Sequence, residues 1–321
     1  MSTSPPSSPP PPPAPPSTEL SEALTSPGRQ LTLRAQVEAE VNAEVLLALA
    51  EVLVGVRREA FAALDSPVLV AGGGLSPFTL GAVLRIWDRF VERAGAALWR
   101  SQQTLTHTTA RGTTPAPSGP SSPSPSALPT IPPSMIGQTA AQRLGITDPY
   151  LVATLDRIST MDLPSQIHSS VVNVFTEATQ SRWNRKTIRE ALFTALDPNS
   201  GVMQRELDAD GGLDSRGVSW ESIAERLART ESTALFSHLT ETEIARMNYP
   251  GKRWVAVRDT RTRSAHAAVN GTAVRVGEAF IVGGYSMQYP GDPAAPHSLR
   301  ANCRCILVGL GRSSARSAGI R

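Results

Sequence analysis

Residues 219–258 read SWESIAERLARTESTALFSHLTETEIARMNYPGKRWVAVR, and this stretch decides the fold class. In its first part Ile223, Leu227, Ala234 and Leu235 recur at helical spacing and give one apolar stripe. Ser219 stands where an N-cap belongs, and Glu221 and Glu225 follow in the first turns, where the helix dipole favours acids. The pattern predicts a helix to about Met247. Pro250-Gly251 ends it, and the period drops to two. Trp254 and Ala256 then face one way and Val255 and Val257 the other, in a strand from Arg253 to Arg258. Arg229 and Glu231 lie two apart on the helix, so they face different partners, and a helix-to-sheet ion pair is the expected use.

Downstream, short strands are expected near 272–276 and 279–282, with Asn270-Gly271 as a turn signal, and a last strand from Arg304 to Leu310. Upstream, helices are expected at roughly 149–160, 165–181 and 184–196, the last closed by Asp197-Pro198-Asn199-Ser200-Gly201. Helices first and a small antiparallel sheet after them make an α+β fold. The polar run ELDADGGLDSRG (206–217) offers Asp208, Asp210 and Asp214. A calcium loop of the EF-hand kind needs Glu at its twelfth position, where Ser219 stands, so the run reads as a surface loop.

Further toward the N-terminus, Leu33, Val37, Val41, Val45, Leu49 and Val52 predict a helix from about Leu31 to Leu64. Pro67 and Gly72-Gly73-Gly74 break it. A second helix, about Pro77 to Gln103, carries Ile86, Phe90, Ala94 and Ala97 on its apolar face. The two suggest a helical hairpin with faces free to pack on another subunit. Two low-complexity segments complete the organisation: 1–18 is a disordered Pro-rich tail, and 111–135 is a semi-extended Pro/Ser spacer. The expected division is therefore 1–18 tail, 19–110 helical arm, 111–135 linker, 136–310 C-terminal domain with its motif core at 220–308, and 311–321 basic tail.

Charge is uneven. Residues 251–321 carry 11 Lys or Arg against 3 Asp or Glu, whereas residues 1–110 carry 8 against 10. A basic end suggests an anionic partner such as nucleic acid. The N-terminus lacks the basic and apolar regions of a signal peptide, and the longest apolar run, Val45 to Val56, is broken by Glu51 and too short to span a bilayer. The expectation is a chain made and kept in a cytoplasm, with no membrane partner. Two cysteines make no disulfide framework. Cys303 and Cys305 share one face of a strand, too close along the chain for an unstrained bridge, which favours a reducing compartment or a metal.

One set of residues carries a resemblance. It runs Ala228-Arg229-Thr230-Glu231, Lys252-Arg253-Trp254, Asp259-Thr260-Arg261-Thr262-Arg263 with His266, Asn270-Gly271, Phe280, Pro290-Gly291-Asp292-Pro293 and Asn302-Cys303-Arg304-Cys305. In order and spacing it resembles the head morphogenesis domain of tailed bacteriophages, the family of the phage Mu F protein and the SPP1 minor head protein. The likeness covers about residues 220–308, and more loosely the helices from 140 onward. It implies a minor capsid protein of the virion, inside the head near the portal and in the host cytoplasm during assembly. The implied partners are the portal protein, capsid or scaffolding proteins and packaged DNA.

The motif residues singled out are Arg229, Glu231, Trp254, Asp259, Arg261, Arg263, His266, Gly271, Asp292, Asn302, Cys303 and Cys305. Cys303, Cys305 and His266, with one of Asp259, Asp292 or His297, are candidate zinc ligands. The plainer expectation is structural and without a cofactor: the cysteines buried as small apolar groups, Asn302 capping a turn, His266 hydrogen-bonded to Asp259 or a backbone carbonyl, and Arg261 or Arg263 paired with Asp259. The residue types also fit three catalytic arrangements. A thiol hydrolase would use Cys303, His266 and Asn302. An ADP-ribosyltransferase would use Arg229, Ser232-Thr233 and Glu241-Thr242-Glu243, but these crowd onto one helix. A metal nuclease on His266 and Asn270 lacks a second His. The reading is a non-enzymatic head protein, with a metal-dependent or thiol enzyme as the alternative.

Overall fold

The structure, a computed structural model, describes residues 23–65, 78–109, 133–207 and 213–320, with 107–109, 133–134, 201–207 and 213–217 described by backbone alone. The Pro-rich tail at 1–18 and the spacer as far as residue 132 lie outside the described residues.

Helix α1 runs Pro27–Leu64 and α2 Leu80–Thr109. Ser26 caps α1, its Oγ accepting from the Arg29 N–H, and Pro27 takes the first helical position, where no N–H is needed. Val37, Val41, Val45, Leu49, Val52 and Val56 are buried at three- and four-residue spacing. They meet Val83, Trp87, Phe90, Ala94 and Leu98 of α2, where Trp87 and Phe90 stack at 4.2 Å. The hairpin is as expected. Its second face, however, is not free for another subunit, because α1 also packs along the central helix α7 (Trp220–Arg246) of the same chain.

Helices α3 (Pro133–Leu144), α4 (Pro149–Ser159), α5 (Leu163–Gln180) and α6 (Arg185–Ala195) pack against α1, α2 and α7 in one apolar core that takes residues from Val37 to Phe236. Gly145, in the left-handed region at φ 66°, ends α3, and Asp148 caps α4 by accepting from the N–H groups of Tyr150 and Leu151.

The run expected to be a surface loop is partly a hairpin. β1 (Gly201–Leu207) and β2 (Leu213–Ser219) pair antiparallel, Gly201 opposite Ser219 and Leu207 opposite Leu213. The sequence there lacks the β-branched alternation that announces a strand, so the backbone ladder carries the pairing. Ser219 then caps α7 as expected, its Oγ accepting from the Ser222 N–H.

The C-terminal sheet is small. β4 (Ala273–Arg275), β3 (Gly251–Val255) and β7 (Ile306–Leu310) lie in the order β4-β3-β7, all antiparallel, with Trp254 opposite Leu307. β5 (Phe280–Val282) and β6 (Tyr285–Met287) form a separate ribbon. Two short helices, α8 (Ser264–Val269) and α9 (His297–Arg300), sit in the connections. The basic end is ordered: α10 (Arg312–Ser317) turns back so that Ala315 and Ile320 cover Leu310. This α+β arrangement, helical first and then a small antiparallel sheet, is the one expected. Among the described residues no helix is long and apolar enough to cross a membrane.

α3 and α4 approach so closely that a Cβ on Gly137 would lie 2.6 Å from the backbone of Asp156. Backbone cannot rotate away as a side chain can. Gly137→Ala is expected to cost about 1–3 kcal/mol, as overpacking of a filled contact does. Urea denaturation checks this, and an unchanged midpoint would refute the contact.

Candidate functional site: the motif clamp and the thiol–imidazole cluster

The centre of the site is the polar face of α7. It buries Thr230, Glu231, Ser232, Thr233 and Ser237 between the N-terminal helices and the C-terminal sheet. Glu231 is 4% exposed and holds Arg157 of α4 at 3.0 Å and Arg300 of α9 at 3.1 Å. Arg229 donates to Glu38 of α1 at 2.6 Å and to the Asn302 side chain at 3.2 Å. Arg34 joins the same group, donating to Glu38 and Thr233. Thr230 accepts from the Asn302 N–H, and the Thr233 hydroxyl donates to the Cys303 carbonyl at 2.7 Å. Arg229 and Glu231 do reach different partners, but through helix-to-helix pairs rather than the helix-to-sheet pair expected. The segment 300–303 is thus laid along α7 one residue after another.

A second clamp surrounds Lys252, which is wholly buried in β3. Its ammonium donates to Glu241 at 2.7 Å and to the Gln288 carbonyl and side chain at 2.9 and 3.1 Å, which uses all three donors. The motif Pro290-Gly291-Asp292-Pro293 folds against α7. Asp292 accepts from the N–H groups of Gln288 and Ala294, and Gly291, at φ 82°, passes so close that a Cβ would lie 3.1 Å from the Ala234 backbone. Gly271 is the third position of a tight turn after Asn270, with the Thr272 N–H closing onto the Val269 carbonyl.

Asp259 does pair with Arg261, loosely through the side chain and through the Arg261 backbone N–H at 3.0 Å, but its principal partner lies elsewhere. Arg304 takes it through two bonds of 2.6 and 2.7 Å and holds its carboxyl well below the usual carboxylate range, while Arg261 stays mostly exposed at 3.9 Å. Arg263 donates instead to the Ala301 carbonyl. Arg304 points away from its neighbours on either side, as alternation in an extended segment requires.

Those neighbours, Cys303 and Cys305, are 1% and 3% exposed and face His266, itself 2% exposed. His266 Nδ1 lies 3.4 Å from the Cys305 sulfur and 3.7 Å from that of Cys303. His266 therefore bonds neither Asp259 nor a backbone carbonyl through its side chain, and its Nε2 is buried without a partner. Trp254 stands edge-on to the ring at 5.6 Å. The cysteine pair shares its protons. A bond from the Cys305 thiol, helped by His266, pulls Cys303 well down, whereas donating that bond, together with burial, pushes Cys305 up. Asn302, at φ 54°, accepts from Arg229 rather than orienting the ring, so the Cys–His–Asn arrangement weighed for a hydrolase is not assembled.

Sequence reasoning passed over Arg157, Gln288 and Arg300, and met Glu241 only as part of the transferase arrangement. Alternation alone signals Lys252, which must face inward with Trp254 two residues on. A third polar group also went unread. His238, half-buried, stacks on Tyr150 at 4.1 Å and meets Tyr289 edge-on, and burial lowers its pKa below the ordinary value.

With this geometry in place, the comparison with known proteins is direct. A family model described as "Phage Mu protein F like protein" matches residues 186–308. This part of the chain is a domain of the MuF-like phage head morphogenesis family. It begins within α6 and takes in the β1–β2 hairpin, so it reaches above the motif core to the last of the helices expected from 140 onward, but not to the earlier ones. No curated protein and no solved structure matches the chain.

Removing the charge of Glu231 leaves Arg157 and Arg300 facing each other without a counter-ion. Both arginines keep some solvent, so Glu231→Gln is expected to cost about 2–3 kcal/mol, below the range for a fully enclosed pair. Chemical denaturation measures this, and a loss under 1 kcal/mol would show the clamp to be dispensable.

Proposed function

We propose that this chain is a minor capsid protein of the phage head, associated with the portal vertex, which assists head assembly and DNA packaging or delivery. The observation that carries the reading is the MuF-like domain at 186–308 together with the use of its polar motif residues. Arg229, Glu231, Lys252, Asp259 and Asp292 all end on counter-charges or backbone groups, which is the economy of a structural part. The portal and capsid or scaffolding proteins are the partners this reading requires. The protein would lie inside the head near the portal in the virion, and in the host cytoplasm during assembly. Quantitative mass spectrometry of DNA-filled particles tests it directly. A few copies per particle are expected against the major capsid protein, and absence from filled particles would overturn the reading.

The basic end gives this function a contact with DNA. Arg275 lies opposite Gly251, which lies opposite Leu310, so Arg275 and the exposed Arg312 and Arg316 of α10 belong to one end of the sheet. Binding would go through phosphates, without sequence preference. Arg312→Ala with Arg316→Ala should weaken DNA binding and flatten its dependence on log salt by about 0.9 per lost contact. Filter-binding titrations across salt concentrations read this slope, and binding insensitive to salt would sink the DNA role.

The second reading is a metal-dependent or thiol enzyme acting in head maturation or after DNA injection. The buried thiol–imidazole cluster favours it, and the near-complete burial of both sulfurs, which leaves a substrate no approach, counts against it.

A further inference from the structure

The side chains of His266, Cys303 and Cys305 take no part in the clamps that hold 300–303 and Lys252; of this group only the Cys303 carbonyl is used there. Among the described residues these three form the group whose ligand atoms all lie within 4.8 Å of one another, and all three residues are buried. Cys303 and Cys305 project to one side of the same extended segment, and His266 comes from α8, 37 residues earlier in the chain than Cys303.

We propose that His266 Nδ1, Cys303 Sγ and Cys305 Sγ together hold one zinc ion. The spacing fits. With Zn–S near 2.3 Å and Zn–N near 2.0–2.1 Å in a tetrahedron, a nitrogen and a sulfur ligand lie roughly 3.6 Å apart. The nitrogen-to-sulfur distances here are 3.4 and 3.7 Å. Without a metal these are weak contacts, because a thiol is a poor donor and a poor acceptor. They would be the ring's only polar partners, since Nε2 has none. Two thiolates neutralise a divalent ion, and the donor set of two soft sulfurs and an imidazole selects zinc over magnesium or calcium. Arg263, fixed on the Ala301 carbonyl, adds a positive charge that acts on both sulfurs and favours their anionic form.

The other candidate ligands are engaged elsewhere or outside the cluster. Asp259 is held by Arg304, Asp292 braces its own loop, and His297 lies outside the group of three. The fourth position therefore falls to water. The site is a proposal about this chain's own residues and does not rest on the capsid reading.

The test uses the full chain, purified under reducing conditions, incubated with zinc and desalted. Elemental analysis should return about one zinc per chain, since binding to a preformed site is stoichiometric. The Cys303→Ser/Cys305→Ser variant should return none, while His297→Gln should keep the full amount. Chelation should lower the Tm of the parent and leave that of the double variant unchanged. If the double variant does not fold, cobalt in the parent decides: thiolate-to-cobalt bands and a tetrahedral visible spectrum are expected. The proposal is overturned by a folded, reduced parent that retains no zinc, by zinc undiminished in a folded double variant, or by cobalt bound without thiolate bands.

Discussion

The buried carboxylate of Glu231 is the constraint around which the rest of the chain is arranged. Taking an ionised carboxylate out of water costs several kcal/mol unless cations replace the lost hydration. Here two arginines do so, from α4 on one side and α9 on the other. Satisfying this one charge therefore brings together an N-terminal helix, the central helix and the segment that leads to the cysteines. Arg229 repeats the arrangement one turn-face away, joining α7 to Glu38 of α1 and to Asn302. Small side chains at Thr230, Ser232, Thr233 and Ser237 let the neighbours come close enough for such contacts. The N-terminal helices are thus part of the environment in which the motif residues work, not a detached arm.

The same logic explains why so many of the motif's polar residues are buried. Lys252 sits in β3 where an apolar residue would be cheaper, yet all three of its ammonium donors are met and Phe280 lies under the charge at 5.5 Å. A fully satisfied buried polar group contributes direction rather than much net stability, because its contacts are correct in one packing only. Lys252 fixes Gln288, the Gln288 N–H is fixed in turn by Asp292, and Gly291 permits the loop to touch the α7 backbone. Charge, loop and helix are one connected support.

The sequence discloses the elements of this fold more readily than its junctions. Helical stripes such as Val37-Val41-Val45, the cap at Ser219, the stop at Pro250-Gly251 and the alternation around Trp254 depend on neighbours within a turn or two, so a linear reading finds them. The β1–β2 hairpin escaped because a ladder of backbone bonds leaves no side-chain signature in a run of Asp, Gly, Gln and Arg. Partner assignments failed for a different reason. Asp259 keeps the nearby Arg261 at 3.9 Å, but its two short side-chain bonds go to Arg304, 45 residues on. Arg229 and Glu38 are 191 residues apart. No local rule ranks such candidates, since the choice is made by packing. The cysteines and His266 were legible as one candidate ligand set, whereas the engagement of Asp259 and Asp292 elsewhere was not.

The position of the thiol–imidazole cluster follows from the size of the C-terminal module. Its strands are three to five residues long. Its apolar cluster is correspondingly small, built around Trp254, Phe280, Val282, Met287 and Leu307, with Leu24 and Ile244 lent by other parts of the chain. A core of that size supplies little stability alone, and small modules are characteristically reinforced by a backing element, a disulfide or a metal. α7 is the backing element on one side. On the other, α8 follows β3 after the exposed stretch 258–261 and packs against β5, with Val269 buried in the cluster. His266 is the point where α8 reaches the strand leading into β7, and the two sulfurs meet it there beside Trp254. A reinforcing bond at that place joins two segments that the sheet itself does not connect, which is where a staple does most for so few strands.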